Sequence, residues 1–329
     1  MLDFKDRVVL ITGAGRGIGR QHALFLASRG AAVVVNDFGA DLRGETGGDA
    51  TFAEAVAEEI NAAGGAAMAA CCDIGEAEAV DCMIADVVSR FGQLDVLIHN
   101  ASVFSKPTAF AEARSQNFDR IMRVNVTGGW NVATAAWPHF LKQQYGRIIM
   151  TGSGAGYFGR RGDHAYSMAK AALMPLTKAL AAEGMSAGVK SNMVGPIAWT
   201  DNAQTQGIPK IMETVAPPIR VTNLVAVLAH EDCPVTGEMF HCGGGFVSRV
   251  FVGETNGVAF AGEDMTPEAL LERMGEVMST DRFQIPAISD HSGAHLSAAI
   301  AAVNPAFAAA LVEAKRTRGQ SDEGRGLTD

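Results

Sequence analysis

Seven short apolar runs, "RVVLIT" (7–12), "AAVVVND" (31–37), "AAMAACCD" (66–73), "LDVLIHN" (94–100), "GRIIMTG" (146–152), "VKSNMV" (189–194) and "GEMFHC" (237–242), punctuate the first 250 residues. Helical stretches of roughly 12 to 25 residues lie between them. This alternation constrains the fold more than anything else in the chain. Strands that are apolar throughout are buried on both faces, and helical crossovers make neighbouring strands parallel. The expected architecture is α/β: a doubly wound parallel sheet of seven strands with helices on both faces. Crossovers are right-handed in such sheets, and ligands bind outside the carboxyl ends of the strands. Residues just after each strand are therefore the candidates for chemistry.

The stretch "ITGAGRGIGR" (11–20) leaves the first run and leads into the amphipathic "QHALFLASRG" (21–30). A strand that empties into a glycine-rich turn and then a helix aims unpaired N–H groups and the positive end of the helix dipole at one point, which suits a phosphate. The G-x-G-x-x-G fingerprint fails, because Ile18 stands where its third glycine belongs. Thr12, Gly13, Gly17 and Gly19 instead fit T-G-x-x-x-G-x-G, and a Rossmann-type dinucleotide site is expected there. Asp37 ends the second run, placed to accept from the adenosine ribose hydroxyls and to repel a 2′-phosphate, which favours NAD. Arg16 pulls the other way, since a guanidinium can pair with that phosphate, so NADP stays open. Asp73 and Ile74, closing the third run, fall at the adenine edge, although a polar residue that merely ends a strand reads the same way. Asn100 and Ala101, closing the fourth, would line the cofactor cleft.

The chemistry is expected around "YSMAK", Tyr166 to Lys170. Positions i and i+4 share a helix face, so an ammonium lies beside a phenol, and that charge together with an oxidised nicotinamide ring favours phenolate. Tyr166 is then a candidate general base. Ser153, just past the fifth run, can donate to a substrate oxygen as negative charge develops. Asn125, inside the long helix after the fourth run, is a polar residue that can bend the helix and hold a water relaying protons from Lys170. Each residue taken singly also has an ordinary structural reading; together, in this order, they point to one site.

In order and spacing these residues resemble the short-chain dehydrogenase/reductases over roughly residues 5 to 250. The resemblance implies a tetrad of Asn125, Ser153, Tyr166 and Lys170, with Lys170 also binding the nicotinamide ribose. His99 replaces the commoner Asn before Asn100. The family's Pro-Gly after the sixth strand is Pro196-Ile197 here, with Thr200 in place for the nicotinamide amide. The segments "VVVNDFGADLRGE" and "LAHEDCPVTGEMFHCGGGFVSRVFVGET" look more narrowly like the dehydrogenase units of peroxisomal multifunctional enzymes of type 2, a family that oxidises (3R)-hydroxyacyl-CoA thioesters and, in some members, hydroxysteroids. That likeness weakens after about residue 290, and homodimers or homotetramers are the rule among such proteins.

The remaining expectations concern substrate and setting. The segment "PIAWTDNAQTQGIPKIMETVAPP" (196–218) would drape a lid over the substrate, lined by Ile197, Trp199, Ile208, Ile211 and Met212 and suited to a lipid-like or polycyclic alcohol or ketone. Arg160 and Arg161 are candidates for the phosphates of an acyl-CoA. Such a lid can equally fold on its own core, and the arginines can equally be solvated. The net charge of −9 argues against nucleic acid and anionic membranes as partners. No apolar run approaches the ~18 residues of a membrane span. Five cysteines without a C-x-x-C pair give no disulfide framework and no metal site. A cytoplasmic protein is expected. After residue 250 a mainly helical extension (251–329) follows, with Thr266-Pro267 and Asn304-Pro305 opening helices, the second closing with Lys315, Arg316 and Arg318, and the last ten or so residues fraying. It would sit at a subunit interface or over the active site. Direct oxidation of a steroid hydroxyl is the enzymatic alternative; a non-catalytic NAD(P)-sensing regulator is the alternative from another class.

Overall fold

The computed structural model describes residues 2–41, 43–200 and 209–323. Ile208 of the expected lid and the polar end 324–329 lie outside them. The chain divides into two compact units, Met1–Val250 and Phe251–Asp329.

All seven expected strands form: β1 (Val8–Thr12), β2 (Ala32–Asn36), β3 (Ala66–Ala70), β4 (Val96–His99), β5 (Gly146–Thr151), β6 (Val189–Ile197) and β7 (Met239–Gly243). They pair in parallel in the order β3-β2-β1-β4-β5-β6-β7, so the winding reverses between β1 and β4. An eighth strand, β8 (Phe246–Val250), was not expected; it pairs antiparallel with β7 at the sheet edge. Gly244 and Gly245, with φ of +59° and +87°, make the two-residue turn that folds it back. An edge strand carries little of the apolar signal that marks a central one.

Period-two alternation in β1 explains the layers. Val9 and Ile11 face one core with Leu26 of α1 (Gly17–Ser28), Ile60 of α2 (Thr51–Ala62) and Val225 of the helix Ile219–Ala229. Val8 and Leu10 face the other, against Ile84 of α3 (Ala77–Phe91) and helices described below. All five β1 residues are buried, each large apolar one contributing roughly 1.5–3 kcal/mol.

Between β4 and β5 the chain forms α4 (Ser115–Met122), a π-helical turn (Arg123–Thr127) and α5 (Gly128–Gln143). Then come α6 (Gly154–Phe158) and α7 (His164–Glu183), followed after β6 by α8 (Ile211–Val215) and α9 (Ile219–Ala229). By length and composition Ile211–Ala229 is apolar enough to cross a membrane, contrary to the expectation that no run is. Ala216-Pro217-Pro218 breaks it, however, and α9 buries Val221, Val225 and Leu228 in the sheet core. His22 of α1 is buried against Thr222 of α9, 2.7 Å away, and burial lowers its pKa to about 3.

In the second unit the two expected helix starts hold. Thr266 Oγ1 accepts from Ala269 N (3.2 Å) to open α10 (Pro267–Glu272), and Asn304 Oδ1 accepts from Phe307 N (3.0 Å) to open α13 (Pro305–Glu323). Between them lie α11 (Met274–Met278) and α12 (Ser289–Val303), and β9 (Glu254–Thr255) pairs with β10 (Phe283–Gln284). None of its described residues is buried.

Candidate active site

A cleft of about 400 Å³ opens at the carboxyl ends of β1, β2, β4 and β5, where the strand order reverses. Gly13, Arg16, Gly17, Ile18, Asp37, Asp73, Ile74, Asn100, Ala101, Ser153, Arg160, Tyr166, Lys170, Pro196 and Thr200 of the expected residues line it. Thr12, Gly19 and Asn125 stand behind it as supports. Ile197, Trp199, Met212 and Arg161 are not on its wall. Ile197 and Arg161 are exposed, and Trp199 is tethered through its backbone N–H to Ala216 O (2.7 Å). The expected apolar lid is therefore not assembled by the described residues, while Ala198 does reach the cleft.

The β1–β2 side of the cleft is made mostly of backbone. Gly13 has φ +63°, and a Cβ on it would lie 2.7 Å from Ala101 Cα; one on Gly19 would lie 2.2 Å from Gly13 O. Only glycine lets this loop close on the turn after β4 while α1 starts with its first N–H groups open. Asn100 Nδ2 donates to the carbonyls of Thr12 (3.0 Å) and Gly13 (2.9 Å), bracing the loop from behind. The buried Asp37 carboxylate accepts from Gly15 N and Gly39 N, both at 2.9 Å, and each oxygen keeps lone pairs for further donors. Arg16 donates to Ala40 O and lies over the Phe52 ring at 4.3 Å. Asp73 accepts from Gly75 N (2.9 Å) and Arg123 Nη2 (2.7 Å), so its carboxylate is already partnered.

The β4–β5 side of the cleft is made of side chains. Ser153 caps α6, its Oγ accepting from Ala155 N at 3.1 Å, which leaves its O–H to donate into the cleft. Tyr166 and Lys170 lie one turn apart on α7, with Lys170 Nζ 5.8 Å from the Tyr166 ring centre. Lys170 is 1% exposed and donates to Thr151 O at 2.8 Å. Desolvation lowers its pKa to about 7. Burial raises that of Tyr166, partly offset by the hydroxyls of Ser153 and Ser102. Among the groups of the chain itself burial thus dominates the phenol, and the expected lowering of its pKa rests on Lys170 together with an oxidised nicotinamide.

Asn125 sits in the π turn, which is the bend expected of it. Its side chain brackets Val103, accepting from Val103 N (2.9 Å) and donating to Val103 O (2.8 Å). His99 explains why a histidine fits before Asn100. Thr12 Oγ1 accepts from Asn100 N and Ala101 N (both 3.0 Å), so its own hydrogen points to His99 Nδ1 at 3.3 Å. His99 Nε2 then carries the ring proton and faces the Asn125 carbonyl at 3.2 Å. Buried and near Lys170, this imidazole has its pKa lowered to about 3 and stays neutral.

Sequence reasoning missed Ser102, Val103, Arg120, Arg123 and the loop after β2, of which Phe38, Asp41, Gly44 and Thr46 line the cleft. The loop had a signal: the gap between Asn36 and Thr51 is far longer than an ordinary βα connection.

The short chain dehydrogenase family model matches residues 7–208. The peroxisomal hydratase-dehydrogenase-epimerase of Neurospora crassa is 38% identical over 287 residues, 87% of this chain and 31% of that protein. Peroxisomal multifunctional enzyme A of Dictyostelium discoideum is 37% identical over 303 residues, 92% of this chain and 66% of that protein. The chain thus spans less than two thirds of either relative. A crystal structure of a short chain dehydrogenase from Mycobacterium avium superposes with a TM-score of 0.70 at 32% identity, covering 87% of this chain and 99% of that one. The expected cytoplasmic location does not stand, because both multifunctional relatives are named as peroxisomal enzymes; unpaired cysteines and an acidic charge do not separate the two compartments. A match over most of the sheet unit, joined to the same fold at this level of identity, makes the chain a member of the short-chain dehydrogenase family and so an oxidoreductase.

Proposed function

We propose that the chain is an NAD-dependent dehydrogenase that interconverts a secondary alcohol and a ketone, with (3R)-hydroxyacyl-CoA thioesters as its substrate class. The observation that carries this reading is the meeting of Ser153, Tyr166 and Lys170 on one wall of a cleft whose opposite wall is a glycine loop with open N–H groups. That loop fits a dinucleotide: Gly13 and Gly19 let it close tightly on Ala101 and on itself, where any Cβ would clash, beside the open N–H groups that begin α1, and Asp37 keeps acceptor sites for ribose hydroxyls. Arg16 is drawn off by Ala40 and Phe52, which favours NAD over NADP. When bound, NAD supplies the hydride acceptor and, in its oxidised form, a positive charge that favours the ionised phenol.

Tyr166 takes the proton from the substrate hydroxyl, and Ser153 donates to the same oxygen as the carbonyl forms. In reverse, Tyr166 is the acid. Lys170 would hold the nicotinamide ribose and, when protonated, add positive charge near the phenol, its Nζ lying 5.8 Å from the Tyr166 ring centre. Asn125 acts as a support, through Val103. The thioester assignment draws on the multifunctional relatives, with Arg160 on the cleft wall as the cation for CoA phosphates. Initial rates of NADH formation from a medium-chain (3R)-hydroxyacyl-CoA and a 17β-hydroxysteroid, each with NAD and NADP, test it: the thioester with NAD turns over fastest. Turnover of the steroid alone overturns the substrate class, and no turnover with either cofactor returns the chain to a sensing role.

We also infer a homodimer or homotetramer in which the Phe251–Asp329 unit contributes contacts. Leu271 is 76% and Met278 70% exposed in the single chain, and apolar groups left in water at this density favour a covering partner. Removing residues 251–329 lowers the number of chains per particle; an unchanged number rules this out.

A further inference from the structure

Ser102 is a polar residue of the cleft that the reaction above leaves without a role. Its Oγ is buried and completes no hydrogen bond, yet Ser102 lines the cleft with Ser153, Tyr166 and Lys170. A buried hydroxyl left unpaired costs about 1–3 kcal/mol. Such a group calls for a specific explanation, and a functional demand is one. The backbone on both sides is tied down. Ala101 N donates to Thr12 Oγ1 at 3.0 Å, and Val103 is clamped at N and O by the Asn125 side chain at 2.9 and 2.8 Å. Residues 100–103 therefore hold this hydroxyl on a rigid mount, as a preorganised group must be held. Val103 packs with Ala165 and Ala169, the neighbours of Tyr166 on α7, which brings the Ser102 hydroxyl to the side of the phenol; there it favours the ionised phenol alongside Ser153.

We propose that Ser102 is a second hydroxyl donor to the Tyr166 oxygen, a positioning residue whose O–H completes its hydrogen bond when that oxygen is ionised. The inference rests on Tyr166 being the general base. It also gives Asn125 a purpose, since clamping Val103 fixes Ser102. The groups facing Tyr166 are Lys170 on its own helix, Asp163 and Arg160 from the turn before α7, Ser153 after β5 and Ser102 after β4. Asp163 opposes ionisation, Arg160 favours it, and neither changes when Ser102 is replaced.

The chain has three tyrosines, Tyr145, Tyr157 and Tyr166, so ring-carbon NMR of the 13C-tyrosine-labelled protein follows each phenol, and Tyr166→Phe identifies the signal. With NAD present, the Tyr166 midpoint rises by about one pH unit in Ser102→Ala, the size expected of a hydrogen bond to a charged group, and Ser102→Thr restores it. The acid limb of kcat/KM for hydroxyacyl-CoA oxidation moves by the same amount, so Ser102→Ala loses about tenfold at neutral pH and recovers in alkali. An unmoved midpoint and limb overturn the proposal; so does a shift that Ser102→Thr leaves in place, which would assign the effect to packing. A wild type inert toward the thioester refutes the proposed function instead, while the titration still judges Ser102.

Discussion

The two walls of the cleft are built by different means. On the β1–β2 side recognition is done by backbone: glycines without Cβ atoms, open N–H groups at the start of α1, and one carboxylate, Asp37, held by two backbone donors. On the β4–β5 side it is done by side chains from three separate elements, Ser102 after β4, Ser153 after β5 and the Tyr166–Lys170 pair on α7. Backbone recognition suits a ligand that is the same in every cycle, whereas side chains can be tuned in charge. Desolvation of Lys170 to a pKa of about 7 and of Tyr166 upward is such tuning.

If the walls divide the work, variants on each should separate chemistry from binding. The largest effect is expected from Tyr166→Phe, with kcat falling roughly 10²- to 10⁴-fold while the Kd for NAD measured by calorimetry stays within a factor of two or three. Loss of NAD binding in this variant would break the division. Next comes Gly19→Ala. Its methyl, 2.2 Å from Gly13 O, forces the loop open, and the Kd for NAD rises about 10- to 100-fold with kcat at saturation largely kept. Smaller again, Asp37→Ala lowers the preference for NAD over NADP by about tenfold, read from the ratio of kcat/KM values; an unchanged ratio would mean that Asp37 does not select the cofactor.

The smallest effect concerns stability, and each wall has one buried imidazole beneath it: His22 on α1 and His99 at the end of β4, both lowered to about 3 by burial. An unfolded histidine binds its proton near pH 6.5, so between about 6.5 and 3 the unfolded state holds protons that the folded state refuses. Stability is therefore full above pH 6.5 and drains away as pH falls through that window. In His22→Gln one of the two contributions disappears, and the drop in Tm from pH 7 to pH 4 is shallower than in the wild type by several degrees. An identical drop would show that His22 is already charged in the fold.

Much of the site could be read from spacing alone, for a physical reason. The glycine loop, Asp37 and the Tyr166–Lys170 pair are local patterns, set by strand and helix periods, and they land where those periods put them. What spacing did not show was which residues form a wall. Trp199 and Met212 are apolar and follow β6, yet Trp199 is tied to Ala216 and Met212 lies off the cleft. Ser102 carries no motif, and its standing depends on Thr12 and Asn125, which are distant in sequence. The edge strand β8 escaped notice because its partner is the end of β7, reached through two glycines at positive φ.

The sequence by itself determined the alternating βαβ order, the sheet that follows from it, the glycine turn after β1 and the order of Ser153, Tyr166 and Lys170, because each of these depends on neighbours within a helix turn or a strand repeat. Tertiary structure alone decided protonation and alignment: that desolvation brings the Lys170 pKa down to about 7, that His99 is a neutral donor to the Asn125 carbonyl, and that Asn125 clamps the stretch carrying Ser102. Those outcomes depend on desolvation and on contacts between β1, β4, β5 and α7, and desolvation is set only when the chain has closed around the groups.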